Sequence, residues 1–361
     1  MKKIMFVIGI LSNGGAERVI STLSKEMTNQ GYEVSIVTIF GDNNKYVSDK
    51  RINLYPIKQK FSNKALRALS IVSMTRRLIK EKKPDLIISF DATINIYTIL
   101  SCLGLKNKLI VSERNDPYQN PVNKNVRRLR DALYKFSDGF VFQTEDAKKY
   151  FTHNIQSKSV IIPNPIIDGL PLWDGENCEK TIITASRLTR QKNLPMLIDA
   201  YVNILNQFPS YKLKIFGVGE LHDELTGRIG KLGLQDKILL PGFSTDIHEE
   251  IKKSNLFVIS SNYEGISNSM LEALAIGVPV ISTNSPIGGA RMFIKNNHNG
   301  ILTSVGDTNE LSQAIEKVLS NPNLAMKMSQ EARKIRQDLH PAKIAKTWID
   351  YAREIYESGY K

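Results

Sequence analysis

Two acidic side chains, Glu264 and Glu272, stand eight residues apart in the run YEGISNSMLEALAIGVPVIST, which predicts an alanine-rich helix ending at Gly277. Residues at this spacing lie close to one face of a helix, so both carboxylates could meet one ligand. Backbone N–H groups of Ile266, Ser267 and Asn268 would lie at the helix start, where an anion binds well. A ligand with both hydroxyls and phosphates, such as a nucleotide-sugar, fits this combination. For Glu272 alone, a surface glutamate on a helix is the alternative interpretation.

Two cations precede this run in the segment ASRLTRQKNLPMLIDAY. Arg187 follows a predicted strand, and Lys192 comes just before a helix for which Asn193 is a plausible N-cap. Ligands of open α/β sheets bind outside the carboxyl ends of the strands. An arginine fork and a lysine point charge could therefore clamp a diphosphate there, although surface cations are common.

Glycines follow several other predicted strands and would let the backbone approach a ligand closely. The first pair opens a helix without the dinucleotide-binding spacing G-x-G-x-x-G. Any of these glycines could also serve an ordinary turn. The candidates are Gly14 and Gly15 in GGAER, Gly217 and Gly219 in FGVGE, and Gly242 with the neighbouring Phe243 in PGF.

The run from Tyr263 to Thr283 resembles the E-x7-E signature of retaining GT-B glycosyltransferases of family 4. The R-L-x-x-x-K-N segment resembles the pyrophosphate site of that family, and GGAER resembles its donor-side loop. The resemblance implies that Glu272 binds the ribose hydroxyls and that Glu264, beside Gly265, contacts the donor sugar. Arg187 and Lys192 would then stabilise the leaving nucleoside diphosphate, with a UDP-linked sugar as co-substrate, no cofactor and no metal ion.

One loop departs from the family pattern. Many members carry a histidine after the strand that corresponds to Lys108–Ser112, whereas this chain reads SERNDP. Glu113, Arg114 and Asn115 are therefore candidates for lining the acceptor side, without the role of the missing histidine. The five histidines lie mostly in predicted helices or loops away from the motifs, and we expect none of them to be catalytic.

Strand-like and helix-like runs alternate along the chain, which predicts an α/β protein with parallel sheets. The alternation breaks at Pro163 and resumes at Thr181, so we expect a linker from about Pro163 to Glu179. With the resemblance, this predicts two doubly wound, Rossmann-like domains that face a cleft. The expected ranges are 1–165 for acceptor binding, 166–340 for the nucleotide-sugar, and 341–361 for a helix that returns to the first domain.

The net charge of +13 is confined to residues 1–165, because residues 166–361 are neutral overall. Basic residues alternate with apolar ones in two stretches, which could suit a nucleic acid, an anionic membrane or a phosphorylated acceptor, or could form a solvated face. No nucleic-acid motif is present, and no apolar run is long enough to span a membrane. The first stretch runs from Lys58 to Lys83 and the second from Lys124 to Lys135.

Family members that build surface polysaccharides use saccharides on an isoprenoid diphosphate. We therefore expect a lipid-linked saccharide acceptor, no nucleic-acid partner, and peripheral association with the cytoplasmic face of the cell membrane. Two distant cysteines fit a reducing compartment. Two alternatives remain at this stage, namely an epimerase-like enzyme of the same fold and a non-catalytic scaffold of a polysaccharide-assembly complex.

Overall fold

A computed structural model describes residues 1–358 apart from 13, 43, 45, 59, 60 and 177. The chain divides into two compact units. The first unit comprises Met1–Pro165 and Leu339–Lys361, and the second unit comprises Ile166–Asp338.

Within the described residues, the first unit contains a seven-stranded parallel sheet in the order β3-β2-β1-β4-β5-β6-β7. Its strands are β1 (Lys3–Ile8), β2 (Glu33–Thr38), β3 (Asn53–Pro56), β4 (Leu86–Phe90), β5 (Lys108–Ser112), β6 (Gly139–Phe142) and β7 (Ser159–Ile161). Its helices are α1 (Gly15–Asn29), α2 (Lys64–Lys82), α3 (Ala92–Cys102), α4 (Lys124–Tyr134), α5 (Glu145–Lys149), α6 (His153–Ser157) and, from the carboxy-terminal segment, α14 (Pro341–Glu357).

The helices of the first unit cover both sheet faces. Helices α2, α3 and α4 pack side by side, while α1 packs against α14. The chain runs from β1 to β3 in one direction along the sheet and from β4 to β7 in the other. Because the connections between parallel strands are right-handed, these two groups of helices lie on opposite faces. The last helix is fixed by Trp348, which stacks on Phe90 at 5.4 Å, and by the Tyr351 hydroxyl, which donates to the Lys158 carbonyl.

The second unit contains, among the described residues, a six-stranded parallel sheet in the order β10-β9-β8-β11-β12-β13. Its strands are β8 (Thr181–Ala185), β9 (Lys212–Phe216), β10 (Ile238–Gly242), β11 (Leu256–Ile259), β12 (Val280–Thr283) and β13 (Ile301–Thr303). Its helices are α7 (Leu194–Ile204), α8 (His222–Leu232), α9 (Ile247–Lys253), α10 (Asn268–Ile276), α11 (Thr308–Leu319), α12 (Pro322–Ala332) and α13 (Ile335–Asp338), and 3₁₀ turns occupy Arg190–Lys192 and Pro286–Gly288.

The predicted α/β class and the parallel sheets are confirmed, and the predicted strand Lys108–Ser112 is present with these bounds. The expected linker has no helix or strand in its described part, but it is not a free connection. Trp173 is buried and its indole N–H donates to the Ser254 carbonyl at 2.8 Å, so the segment packs on the second unit.

Strand order reverses direction between β1 and β4 in the first sheet, and between β8 and β11 in the second. Loops that leave the carboxyl ends of such neighbouring strands diverge to opposite sheet faces and open a crevice for ligands. The segments after β8 and β11 contain Arg187, Lys192 and Glu264. The fold therefore gathers the predicted charged residues of the second unit at one switch point.

Candidate functional site

An ion pair joins the two switch-point loops of the second unit. The Lys192 ammonium contacts the Glu264 carboxylate, and both side chains are largely buried, with 12% and 17% of their surface exposed. The Ser261 hydroxyl donates to the same carboxylate oxygen of Glu264 at 3.1 Å. Two of the residues predicted to contact the ligand are thus held against each other.

Further hydrogen bonds fix the backbone on each side of this pair. The Asn262 N–H donates to the Gln191 carbonyl at 2.8 Å, and the Gln191 amide donates to the Tyr263 carbonyl at 3.0 Å. The Ser260 hydroxyl donates to the Lys192 carbonyl at 2.8 Å. The two loops therefore form one cross-linked layer, which sets the positions of Lys192 and Glu264 before any ligand arrives.

Asn193 differs from its predicted role as a capping side chain. It occupies the N-cap position of α7, but its backbone is left-handed, with φ 45°, and its side chain makes no capping hydrogen bond. Its amide instead donates to Oδ1 of Asn262 at 3.0 Å. The contact between the loops has replaced the local cap.

Helix α10 begins at Asn268, so Glu264 lies in the preceding loop and does not share a helix face with Glu272, contrary to the expectation from their spacing. Ser267 is the N-cap, and its hydroxyl accepts from the Met270 N–H at 3.4 Å. The helix ends as predicted at Gly277, whose φ of 92° favours glycine. The predicted N–H donors Ile266, Ser267 and Asn268 therefore flank the helix start.

A small polar depression opens beside this helix start. Hydroxyl groups and one ammonium provide hydrogen-bond donors for an anion there, and the helix dipole adds positive potential. Its lining consists of Thr184, Ser186, Lys192, Leu194, Ile259, Ser260, Ser261, Ser267 and Ser269.

Arg187 lies next to this depression in sequence, directly after Ser186, and its side chain is exposed. Among the described residues, its guanidinium has no hydrogen-bond or ion-pair partner. An arginine held at the carboxyl end of a strand without a protein partner is available for an anionic ligand.

The glycines after β9 have a second role besides the predicted approach to a ligand. A Cβ at Gly217, which has φ +132°, would lie 1.8 Å from the Ser186 carbonyl oxygen, and one at Gly219 would lie 2.4 Å from that of Leu188. The Gly217 N–H donates to the Gly242 carbonyl at 2.8 Å. Both glycines are thus required for packing against the loop that carries Arg187, while the neighbouring Phe243 is half exposed.

Glu272 is almost completely buried on α10, and His248 of α9 lies beside it, with Nε2 2.9 Å from Oε2 of Glu272. His248 is therefore an exception to the expectation that the histidines lie mostly away from the motifs. The sequence did carry a signal, because His248 stands three residues before the buried Ile251 and so faces inward on a short helix.

The candidate acceptor loop of the first unit contains residues with different exposure. Glu113 is buried, accepts a hydrogen bond from the Tyr134 hydroxyl, and lies 3.6 Å from the Arg130 guanidinium. Burial raises the pKa of Glu113 to about 7, although Arg130 opposes this shift. The Glu113 carboxylate thus faces Tyr134 and Arg130 in the interior of the first unit, and its role on the acceptor side stays a prediction.

Arg114 and Asn115 are partly exposed. The Arg114 guanidinium lies over the Phe90 ring at 4.6 Å and donates to Asn164, and burial lowers the pKa of Arg114 to about 9. Gly14 and Gly15 follow β1, with Gly14 as the N-cap of α1. These residues lie after the carboxyl ends of β5 and β1, where a ligand of the first unit is expected.

The second basic stretch includes one arginine that is not on the surface. Arg130 is fully buried and donates to the carbonyls of Asn120 and Pro117 at 2.7 and 3.1 Å. It also lies 4.9 Å from the Tyr150 ring centre. This arginine holds the loop before α4, so it is not among the basic side chains that a partner could contact.

Two kinds of feature are absent from the described residues. No described helix is long and apolar enough to cross a membrane. No group of three or more His, Cys, Asp or Glu side chains in this part of the chain could hold a metal ion.

Comparison with known proteins assigns both halves of the chain. Residues 13–168 match the family model described as Glycosyltransferase Family 4, and residues 175–335 match the one described as Glycosyl transferases group 1. The fold is similar to that of Anabaena HepE in complex with UDP and glucose, with a TM-score of 0.84 and 17% identity over 97% of this chain and 99% of that one.

Two proteins of Campylobacter jejuni are similar over nearly their whole length. One is named GalNAc-alpha-(1->4)-GalNAc-alpha-(1->3)-diNAcBac-PP-undecaprenol alpha-1,4-N-acetyl-D-galactosaminyltransferase, with 28% identity over 98% of this chain and 99% of that protein. The other is named N-acetylgalactosamine-N,N'-diacetylbacillosaminyl-diphospho-undecaprenol 4-alpha-N-acetylgalactosaminyltransferase, with 26% identity over 97% and 99%. With both family matches and the two parallel sheets, the chain belongs to the GT-B glycosyltransferases.

Proposed function

We propose that this glycosyltransferase is a retaining enzyme that moves a sugar from a UDP-linked donor to a hydroxyl of a lipid-linked saccharide. The observation that carries the proposal is the Lys192–Glu264 ion pair at the switch point of the second sheet, beside Arg187 and the start of α10. This arrangement combines cations for a diphosphate with a carboxylate for sugar hydroxyls.

The donor diphosphate lies against Arg187, Lys192 and the start of α10. As the bond from the sugar C1 to the phosphate oxygen breaks, negative charge develops on the leaving nucleoside diphosphate. Fixed cations and N–H dipoles stabilise that charge without reorganising, so no metal ion is needed for neutralisation. Glu264 contacts the hydroxyls of the transferred sugar, and Glu272 accepts hydrogen bonds from the ribose hydroxyls.

The acceptor oxygen forms its bond to C1 on the face from which the phosphate leaves, and its proton passes to the leaving phosphate oxygen. The configuration at C1 is thereby retained, and no protein carboxylate has to act as the base. Supporting this route, the Glu264 carboxylate is already engaged by the Lys192 ammonium and the Ser261 hydroxyl.

The lipid-linked acceptor is supported by the printed names of the two Campylobacter relatives, which contain undecaprenol linked through a diphosphate. On the first unit, Arg114 and Asn115 at the end of β5 are its proposed contacts. Association with the cytoplasmic face of the membrane brings the enzyme to such an acceptor.

Helix α2 supports the membrane proposal. Its exposed face contains Leu66 and Leu69, which are 50% and 67% exposed, followed by Arg77 and Lys80. Their spacing places all four on one side of the helix, where apolar residues can enter the interface and cations can meet anionic headgroups. Arg76 is excluded, because its guanidinium donates to the carbonyls of Ser101 and Leu103.

Activity is tested by incubating the protein with UDP-sugars and an undecaprenyl diphosphate-linked saccharide in the presence of a chelator. We expect release of UDP and, by NMR, a product whose anomeric configuration equals that of the donor. An inverted product would refute the retaining mechanism, and loss of activity with the chelator would refute metal independence. A changed sugar without transfer would indicate an epimerase, and donor binding without turnover would indicate a scaffold.

Membrane association is tested by flotation with anionic and neutral liposomes. We expect the wild type to float with anionic liposomes at low salt and a Leu66→Ser, Leu69→Ser, Arg77→Gln, Lys80→Gln variant to remain unbound. A matched control replaces the exposed Leu232 and Lys231 of α8 by Ser and Gln. Equal binding by wild type and the α2 variant would leave this helix as a solvated face.

A further inference from the structure

The imidazole of His248 is placed against a carboxylate of the candidate site. Its Nε2 lies 2.9 Å from Oε2 of Glu272. The Glu272 side chain is only 5% exposed, and that of His248 is 22% exposed. The ring therefore covers one side of the carboxylate, while its own outer edge reaches solvent.

The segment that leads to His248 is held rigidly. The Asp246 N–H donates to the Ser244 hydroxyl at 3.1 Å, and the N–H groups of Glu249 and Glu250 donate to the Asp246 carbonyl at 3.0 and 3.2 Å. These bonds fix the turn between Phe243 and α9. His248 is thus attached through a short, ordered connection to the loop of Gly242 and Phe243.

Either protonation state of His248 can serve Glu272. The imidazolium donates from both ring nitrogens, and the neutral ring donates from Nε2 in one tautomer. A hydrogen bond to an ionised carboxylate is strong and directional, so it fixes the side-chain torsions of the acceptor. A buried carboxylate without such a donor would be harder to keep ionised.

We propose that His248 is a positioning residue that orients the Glu272 carboxylate toward the ribose hydroxyls of the donor nucleotide. The inference rests on the proposed function, in which Glu272 binds that ribose. His248 touches no substrate itself and acts through the carboxylate. His248 fixes the ribose contact relative to the Gly242–Phe243 loop, because His248 and this loop lie on the same rigid segment.

The ligands for the test are chosen with the wild-type protein. Calorimetry first identifies which of UDP, GDP, ADP and CDP binds best, and the 2′,3′-dideoxy form of that nucleotide is then measured. The dideoxy ligand keeps the base and diphosphate but lacks both hydroxyls that Glu272 would bind. A residue that acts only through the ribose contact therefore matters for the first ligand and not for the second.

Five variants separate positioning from a general effect on structure. His248→Phe keeps the ring and removes the donor, and His248→Gln restores a side-chain N–H donor of similar reach. His298→Phe is the matched control, because Nε2 of His298 lies 3.1 Å from Oε2 of Glu331 in the same unit, away from this site. Glu272→Gln, alone and combined with His248→Phe, tests whether the histidine acts through the carboxylate.

We expect His248→Phe to weaken binding of the intact nucleotide roughly tenfold, equivalent to about 1.4 kcal/mol, with no change for the dideoxy ligand. His248→Gln should recover most of that affinity, and His298→Phe should equal the wild type. In the Glu272→Gln background, His248→Phe should add nothing.

Equal weakening of both ligands, or no weakening of either, would overturn the positioning role. If the wild type itself does not distinguish the two ligands, the ribose contact of Glu272 fails and this inference fails with it. If no nucleoside diphosphate binds the wild type, the proposed function fails first, which is a different and recognisable result.

Discussion

Replacing Lys192 with Met tests whether the ion pair holds the candidate site together. The substitution keeps an unbranched side chain of similar length and removes only the charge and its three donors. Glu264 then keeps the Ser261 hydroxyl as a donor but loses its cation, in a place where only 17% of its side chain meets solvent. The Glu264 carboxylate is then desolvated without a compensating cation, which should lower the free energy of unfolding.

The size of the effect follows from that burial. Leaving one largely buried polar or charged group short of its partner costs about 1–3 kcal/mol. In a unit the size of residues 166–338, each kcal/mol lowers the melting temperature by about 2–4 °C. Lys192→Met should therefore lower the melting temperature of the second unit by roughly 2–12 °C.

The double variant Lys192→Met, Glu264→Gln should recover most of this loss, because the carboxylate that lost its partner is then also absent. Thermal unfolding of the wild type, both single variants and the double variant gives the coupling free energy. Lys231→Met, at an exposed position on α8, is the control and should change the melting temperature little. Additive effects of the two substitutions would refute the view that the pair is a unit.

Three further results are expected. Glu272→Ala should weaken nucleoside diphosphate binding by about 1.5–3 kcal/mol in calorimetry, whereas Glu264→Ala should mainly lower kcat. Unchanged affinity in a folded Glu272→Ala protein would refute the assignment of Glu272 to the ribose. Arg187→Ala should lower kcat about 10²–10³-fold in steady-state assays, because the Arg187 charge faces the departing diphosphate. The affinity of this variant for the free nucleoside, measured in a binding assay, should be unchanged. Burial raises the pKa of Glu113 from 4.5 to about 7, so the stability that this group contributes below pH 4.5 is lost as the pH rises through 7. Glu113→Gln should therefore reduce the dependence of the free energy of unfolding on pH between 4.5 and 7, measured by chemical denaturation. Identical pH dependence in the wild type and the variant would contradict this prediction.

The strands could be predicted because a parallel strand covered on both faces is a nearly continuous apolar run. Strands β4 and β11 show this most clearly, since every residue of Leu86–Phe90 and Leu256–Ile259 is buried. Helix α10 was predictable for a related reason, because Gly277 is required where the chain turns left-handed. In these elements the local sequence and the tertiary structure favour the same secondary structure.

The contacts of the site are a different matter, because they join residues that are distant in the sequence. Lys192 and Glu264 are 72 positions apart, and His248 and Glu272 are 24 positions apart. Each contact depends on how two loops or two helices pack, and no local propensity reports that packing. Asn193 illustrates the consequence, since a side chain suited to a local cap is used for a bond to Asn262.

The burial of Arg130 changes how the charge of the first unit is to be interpreted. Its guanidinium is buried and donates to the carbonyls of Asn120 and Pro117 and to the Asp131 carboxylate, so it cannot contact an anionic headgroup. Arg127 is similarly committed, because it donates to the Pro121 carbonyl at 2.7 Å. A formal charge counted along α4 therefore overstates what this helix presents. The side chains that remain exposed on α2 are what an anionic surface would meet, which is why the liposome test is designed around that helix rather than around net charge.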